Sequence, residues 1–118
     1  MTDICIFHNP RCSKSRQTLQ LLQERGIEPV IRLYLQEPPD AQELAQIVAK
    51  LGVGARGLLR RSEAAYKEQG LSDQSLSEAD LIDAMVRFPK LIERPIVITG
   101  ARAALGRPPE NVLGLLDD

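Results

Sequence analysis

The first 34 residues constrain the fold more tightly than any other stretch of the chain. Ile4-Cys5-Ile6-Phe7 is an apolar run of strand length, closed by the turn pair Asn9-Pro10. After Cys12 the apolar spacing becomes helical. Leu19, Leu22 and Ile27 recur among Arg16, Gln17, Gln20, Gln23, Glu24 and Arg25, and Gly26 is a good C-terminal stop. Pro29-Val30-Ile31-Arg32-Leu33-Tyr34 then reads as a second strand. A strand, a helix and a strand within about 30 residues form a βαβ unit, so the two strands are expected to be parallel.

Pro38-Pro39 breaks the chain, and Asp40 with Glu43 three residues later resembles a capping box. The helix that follows is expected to bury Leu44, Ile47, Val48 and Leu51 and to end at Gly52. Residues 53–76 are less regular and read as one or two short helices with loops. Ser77-Glu78-Ala79-Asp80 starts another helix, carrying Leu81, Ile82, Met85 and Val86, and Pro89 closes it. Pro95-Ile96-Val97-Ile98-Thr99 is a β-branched run, and after Gly100 the segment Ala103-Ala104-Leu105 is expected to return antiparallel. Pro108-Pro109 sets up a last helix with Val112, Leu113, Leu115 and Leu116, proline being well placed in a first helical turn. The expected fold class is α/β. It is a thioredoxin-like mixed sheet (βαβ, then ββα) with an inserted helical block at about 40–88, in one domain over residues 1–118.

Composition narrows the function. With 118 residues at 43% hydrophobic, the chain can bury a core without a disulfide or metal staple. Aromatics make up 3%, so that core is aliphatic, and no set of rings is offered for stacking nucleic-acid bases. A net charge of −1 provides no polybasic surface for nucleic acid or membrane. The apolar stretch at Ile4 to Phe7 is too short for a signal peptide, Asp3 is acidic, and no run approaches a membrane span. A cytoplasmic, reducing location is therefore expected, with both cysteines reduced. Cys5, Cys12 and His8 do not make a closed four-ligand zinc site, so no metal is expected.

The chemistry points to Cys12. It lies between a strand and a helix, where free N–H groups and the helix dipole stabilise an anion, and a thiol so placed ionises more readily than a free one. Arg11, Lys14 and Arg16 add positive charge nearby, and His8 adds more if protonated. Cys5, inside an apolar strand, reads as a small inert hydrophobe. His8 either tunes the thiolate or caps the turn. Three competing motifs fail on spacing. A Cys-x-x-Cys couple needs a cysteine at Ser15, and the low-molecular-weight phosphatase loop needs an arginine at Thr18. A Walker loop needs glycines around Ser13-Lys14-Ser15. Arginine outnumbers lysine 11 to 4, which matters because arginine offers bidentate recognition of oxyanions. By position alone, however, Arg60, Arg61, Arg94 and Arg107 read as solvated surface residues.

Taken with the blocks that follow, the segment His8-Asn9-Pro10-Arg11-Cys12 resembles the glutaredoxin-linked arsenate reductase (ArsC-like) family. The matching blocks are Ser15-Arg16, Leu33-Tyr34-Leu35 with Pro38-Pro39, Leu58-Leu59-Arg60, Leu91-Ile92-Glu93-Arg94-Pro95-Ile96-Val97 and Gly106-Arg107-Pro108. The resemblance implies that Cys12 is the nucleophile, that His8 helps hold its thiolate, and that Arg60, Arg94 and Arg107 bind the oxyanion. It gives Arg61 no role, and it implies a cis peptide at Pro95. It also implies reduction of arsenate to arsenite through a Cys12 thiol–arsenate adduct, with glutathione as co-substrate and glutaredoxin resolving the mixed disulfide. No bound cofactor is expected, and a monomer is the default. The chain ends at Asp118 without the C-terminal extension of the resistance enzymes, and Arg11 and Lys14 depart from their pattern, as in a shorter chromosomal subgroup. Two other readings remain open: a glutathione-linked thiol reductase without arsenate activity, and a regulatory binding protein like the Spx transcription regulators.

Overall fold

The structure, a computed structural model, describes residues 4–115. Its contacts divide the chain into two compact units. One holds the chain up to Glu37 and from Arg94 onward, and the other is Pro38–Glu93.

In the first unit, β1 (Ile4–Phe7) leads into α1 (Ser13–Glu24), and β2 (Val30–Arg32) pairs parallel with β1. β3 (Ile96–Thr99) pairs antiparallel with the other side of β1, and β4 (Arg102–Leu105) with β3, giving the order β2-β1-β3-β4. This is the βαβ and ββα arrangement read from the sequence. Strand alternation sends Ile4, Ile6 and Val97 to one face, where they meet Leu22 of α1 and Val112 and Leu115. Leu19, Leu21, Ile27 and Ala104 pack around that cluster. Gly26 takes a φ of 80°, the left-handed conformation that lets the chain leave α1 and turn toward β2.

Two expectations for this unit need correction. The second strand is shorter than the run from Pro29 to Tyr34. Leu33 onward bends into a turn, closed by the Gln36 and Glu37 N–H groups on the Leu33 carbonyl. Tyr34 leaves the ladder to stack on Phe7, with ring centroids 5.9 Å apart. β2 is also an edge strand, which is why Val30 and Ile31 are exposed despite their apolar character. The last helix is Pro109–Leu115 and has 3-10 geometry. It still buries Val112 and Leu115, whereas Leu116, also expected there, lies outside the described residues.

The second unit is helical. α2 (Ala41–Leu51) is capped by Asp40, whose side chain accepts from the Glu43 N–H, and it buries Leu44, Ile47 and Val48. α3 (Gly54–Leu58) and α4 (Ala64–Glu68) are the two short helices of the irregular stretch. α5 (Glu78–Arg87) opens on a full capping box between Ser77 and Asp80 and buries Leu81, Ala84 and Met85. Pro89 ends α5 but starts a 3-10 turn, Pro89–Leu91. That turn delivers Ile92 to an isolated antiparallel bridge with Leu59.

Candidate active site

Cys12 is the N-cap residue of α1, with extended backbone (φ −94°, ψ 122°), and it is half-buried. The turn that brings it there is built on Asn9. The Asn9 carbonyl accepts from the Cys12 N–H at 2.9 Å, and its Oδ1 accepts from the Arg11 N–H at 3.0 Å. The sulfur makes no cap hydrogen bond of ordinary geometry, yet the N–H groups of Ser15 and Lys14 act on it as near dipoles.

Two of the expected arginines meet at this sulfur. Arg107 Nη2 lies 3.4 Å from Cys12 Sγ, while its Nε donates to the Arg94 carbonyl at 2.7 Å, which fixes the guanidinium in place. Arg94 in turn gives the sulfur a side-chain hydrogen bond. Burial pushes the Cys12 thiol up. The Ser15 N–H, the Arg94 side chain, the Lys14 N–H and the Arg107 charge outweigh it, so the thiol sits below its ordinary value. Arg94–Pro95 is a cis peptide, as the resemblance implies, and Arg107–Pro108 is a second one that the sequence did not signal.

The flanking cations act differently from expectation. The side chains of Arg11, Lys14 and Arg16 are not among the groups that lower the thiol; Lys14 contributes through its backbone N–H. Arg16 donates to the Pro10 carbonyl at 2.9 Å and acts on His8 instead. His8 is buried at the end of β1. Desolvation, with the Arg16 charge second, lowers its pKa, so the ring is neutral at pH 7 and brings no positive charge to the sulfur. Its Nδ1 lies 2.7 Å from Ser15 Oγ, which also accepts from the Asn9 N–H at 3.0 Å.

The sequence marks Ser15 as the place where a second cysteine would stand and as part of a matching block, without giving it a role. Here it is fully buried on the inner side of α1, its side chain tied to the His8 ring and its N–H turned to the sulfur. Gly106 is a second residue the sequence did not single out as functional. A Cβ there would overlap Thr18 Oγ1 and Pro95 Cγ, so only glycine lets the strand end this close to α1 just before Arg107.

The remaining expected residues have other immediate partners or settings. Arg60 belongs to the second unit, where its Nη1 donates to Glu93 Oε1 at 2.8 Å. Arg61 is exposed. Cys5 is half-buried in β1, between β2 and β3. Among the described residues no group of three His, Cys, Asp or Glu side chains is placed to hold a metal ion.

The ArsC family model matches residues 7–115, from the end of β1 through the C-terminal 3-10 helix. The chain belongs to the ArsC family. A protein of Escherichia coli (strain K12) described as "Uncharacterized protein YfgD" is 55% identical over 112 residues, 94% of each chain. An arsenate reductase of Neisseria meningitidis serogroup A is 50% identical over 117 residues, 98% of this chain and 100% of its own. Among solved structures, an arsenate reductase from Vibrio cholerae superposes with a TM-score of 0.93 at 46% identity, covering 96% of this chain and 97% of that one. The ArsC assignment carries the fold with it, an α/β thioredoxin-like sheet with a helical insertion.

Proposed function

We propose that this chain reduces arsenate to arsenite, with Cys12 as nucleophile and Arg60, Arg94 and Arg107 as oxyanion-binding residues. The observation that carries the reading is the half-buried Cys12 thiol, held below its ordinary pKa with Arg94 and Arg107 on it. A thiolate ringed by guanidinium groups and helix N–H dipoles suits a phosphate-like oxyanion, which needs positive charge at its oxygens while sulfur attacks its centre. Relatives named arsenate reductase at 50% identity over nearly the whole chain support the same substrate.

Cys12 sulfur bonds to arsenic(V) and one arsenic oxygen leaves as water, giving a thiol–arsenate adduct. The thiol of glutathione then adds. The two sulfurs supply two electrons, arsenic leaves as arsenite, and Cys12 is left in a mixed disulfide with glutathione. Glutaredoxin reduces that disulfide and restores the thiol. His8 holds the first turn of α1 through Ser15 and so positions the N–H groups that face the sulfur. Glutathione is a co-substrate and no cofactor is bound. The protein works as a cytoplasmic monomer, with glutaredoxin as its protein partner and no nucleic acid or membrane involved.

The test is a coupled assay with arsenate, glutathione, glutaredoxin, glutathione reductase and NADPH. Arsenate-dependent NADPH loss is expected in wild type and absent in Cys12→Ser. Equal rates in the two would refute the proposal. A second reading, a glutathione-linked thiol reductase without arsenate activity, draws on one observation: Arg60 already carries carboxylate partners. Reduction of glutathionylated substrates with no arsenate dependence would favour it.

A further inference from the structure

We infer that Glu93 sets the oxyanion affinity of Arg60 by holding its guanidinium and offsetting its charge. The inference rests on the proposal that Arg60 binds the oxyanion. Arg60 Nη1 donates to Glu93 Oε1 at 2.8 Å, a short charge-assisted bond between side chains that are 17% and 22% exposed. Arg60 Nε is buried without a hydrogen-bond partner, and Glu63 Oε2 lies 3.5 Å from it, close enough for attraction but outside hydrogen-bond geometry. One guanidinium therefore faces two carboxylates.

Backbone contacts fix this arrangement. The Arg60 N–H donates to the Leu91 carbonyl at 2.8 Å and the Glu93 N–H to the Leu58 carbonyl at 2.8 Å, flanking the bridge between Leu59 and Ile92. Residues 58–60 and 91–93 are thus locked in antiparallel register, and Glu93 cannot drift away from Arg60. The Glu63 N–H donates to the Arg60 carbonyl at 3.3 Å, which keeps the second carboxylate one turn away. Because the pair is mostly shielded from solvent, salt screens it less than an exposed pair.

An arginine that serves an oxyanion does so with unspent charge and uncommitted N–H groups. Here one N–H is committed to Glu93, and two carboxylates stand against the one guanidinium. An incoming oxyanion competes with Glu93 for Arg60 and meets its repulsion. Glu93 therefore acts on binding and leaves the chemical step at Cys12 alone.

The test is Glu93→Gln, which keeps the side-chain length and an acceptor for Nη1 but removes the charge. The arsenate KM is expected to fall by about three- to tenfold with kcat unchanged. Calorimetric binding of arsenate to the Cys12→Ser protein, which cannot turn over, is expected to tighten equally. Structural damage would not produce a gain in affinity. In an Arg60→Ala background the same substitution is expected to change neither quantity. Three outcomes overturn the inference. An unchanged or raised KM in Glu93→Gln, while Arg60→Ala alone weakens binding, removes the inference and leaves the site reading standing. A tightening that persists without Arg60 also removes it, since Glu93 would then act on the anion independently. If Arg60→Ala alone leaves arsenate binding intact, the assignment of Arg60 falls and takes the inference with it.

Discussion

In the proposed reaction, Cys12 and the groups that face it carry the chemistry at the residue scale. Burial alone would make this thiol a poor nucleophile, and four polar groups reverse that bias. Removing one of them raises the pKa and lowers the thiolate fraction at any given neutral pH. Arg107→Ala is expected to slow alkylation of Cys12 at pH 7 by about three- to tenfold, and to move the pH profile of that rate upward. Iodoacetamide rates measured from pH 5 to 9 check this, with Cys5→Ser as the background so that one thiol is read. The depressed pKa also has a sign for stability. The thiolate contributes fully above the unfolded-state pKa, and that contribution is lost as the pH falls through the lower folded value. The position of Cys12 was legible in the sequence, because a strand end, a turn pair and a helix start are all local signals. The part its sequence neighbours play is less legible. Arg11, Lys14 and Arg16 are next to it in sequence, but helix geometry directs Arg16 back to Pro10 and leaves Lys14 acting through its backbone.

At the scale of elements, the tight joint between β4 and α1 matters most for the site. Gly106 follows β4, its N–H donates to the Pro95 carbonyl at 2.9 Å, and no side chain fits between it and Thr18. Gly106→Ala is therefore expected to destabilise the protein by about 1–3 kcal/mol, because α1 or Pro95 must shift. Thermal or denaturant unfolding measures the loss. Turnover is expected to fall further than stability explains, since Arg107 is the next residue and is aimed at the sulfur. Elements with strong local grammar were read correctly, including the Asp40 and Ser77 caps and the two parallel strands around α1. β2 is shorter, and the last helix tighter, than their apolar patterns imply. β2 stops early where the Leu33 carbonyl accepts from the Gln36 and Glu37 N–H groups and Tyr34 turns to stack on Phe7. The final segment carries a helical apolar pattern, but seven residues cannot distinguish α from 3-10 geometry by periodicity.

For the whole molecule, the supply of thiols decides how a cycle can close. Cys5 is held within the sheet between two strands, and Ser15 occupies the position where a local partner thiol would stand. Arsenate turnover is therefore expected to be unaffected by Cys5→Ser, within about twofold, and to require an added thiol in both proteins. A burst of arsenite from wild-type protein without glutathione, lost in Cys5→Ser, would count against this. Among the described residues no helix is long and apolar enough to cross a membrane.

The sequence by itself determined the order of elements, the parallel βαβ start, the helical block and the place of Cys12, since each is written in spacing over a few residues. Through its resemblance it also named Arg60, Arg94 and Arg107. What those arginines touch was decided only by the tertiary structure. Arg107 reaches Cys12 across 95 residues of chain, and Arg60 is claimed by Glu93 across 33. Local periodicity dictates which face a side chain takes, but a contact between distant segments depends on strand order and register. Those are set by how whole elements pack, and no window of sequence contains them.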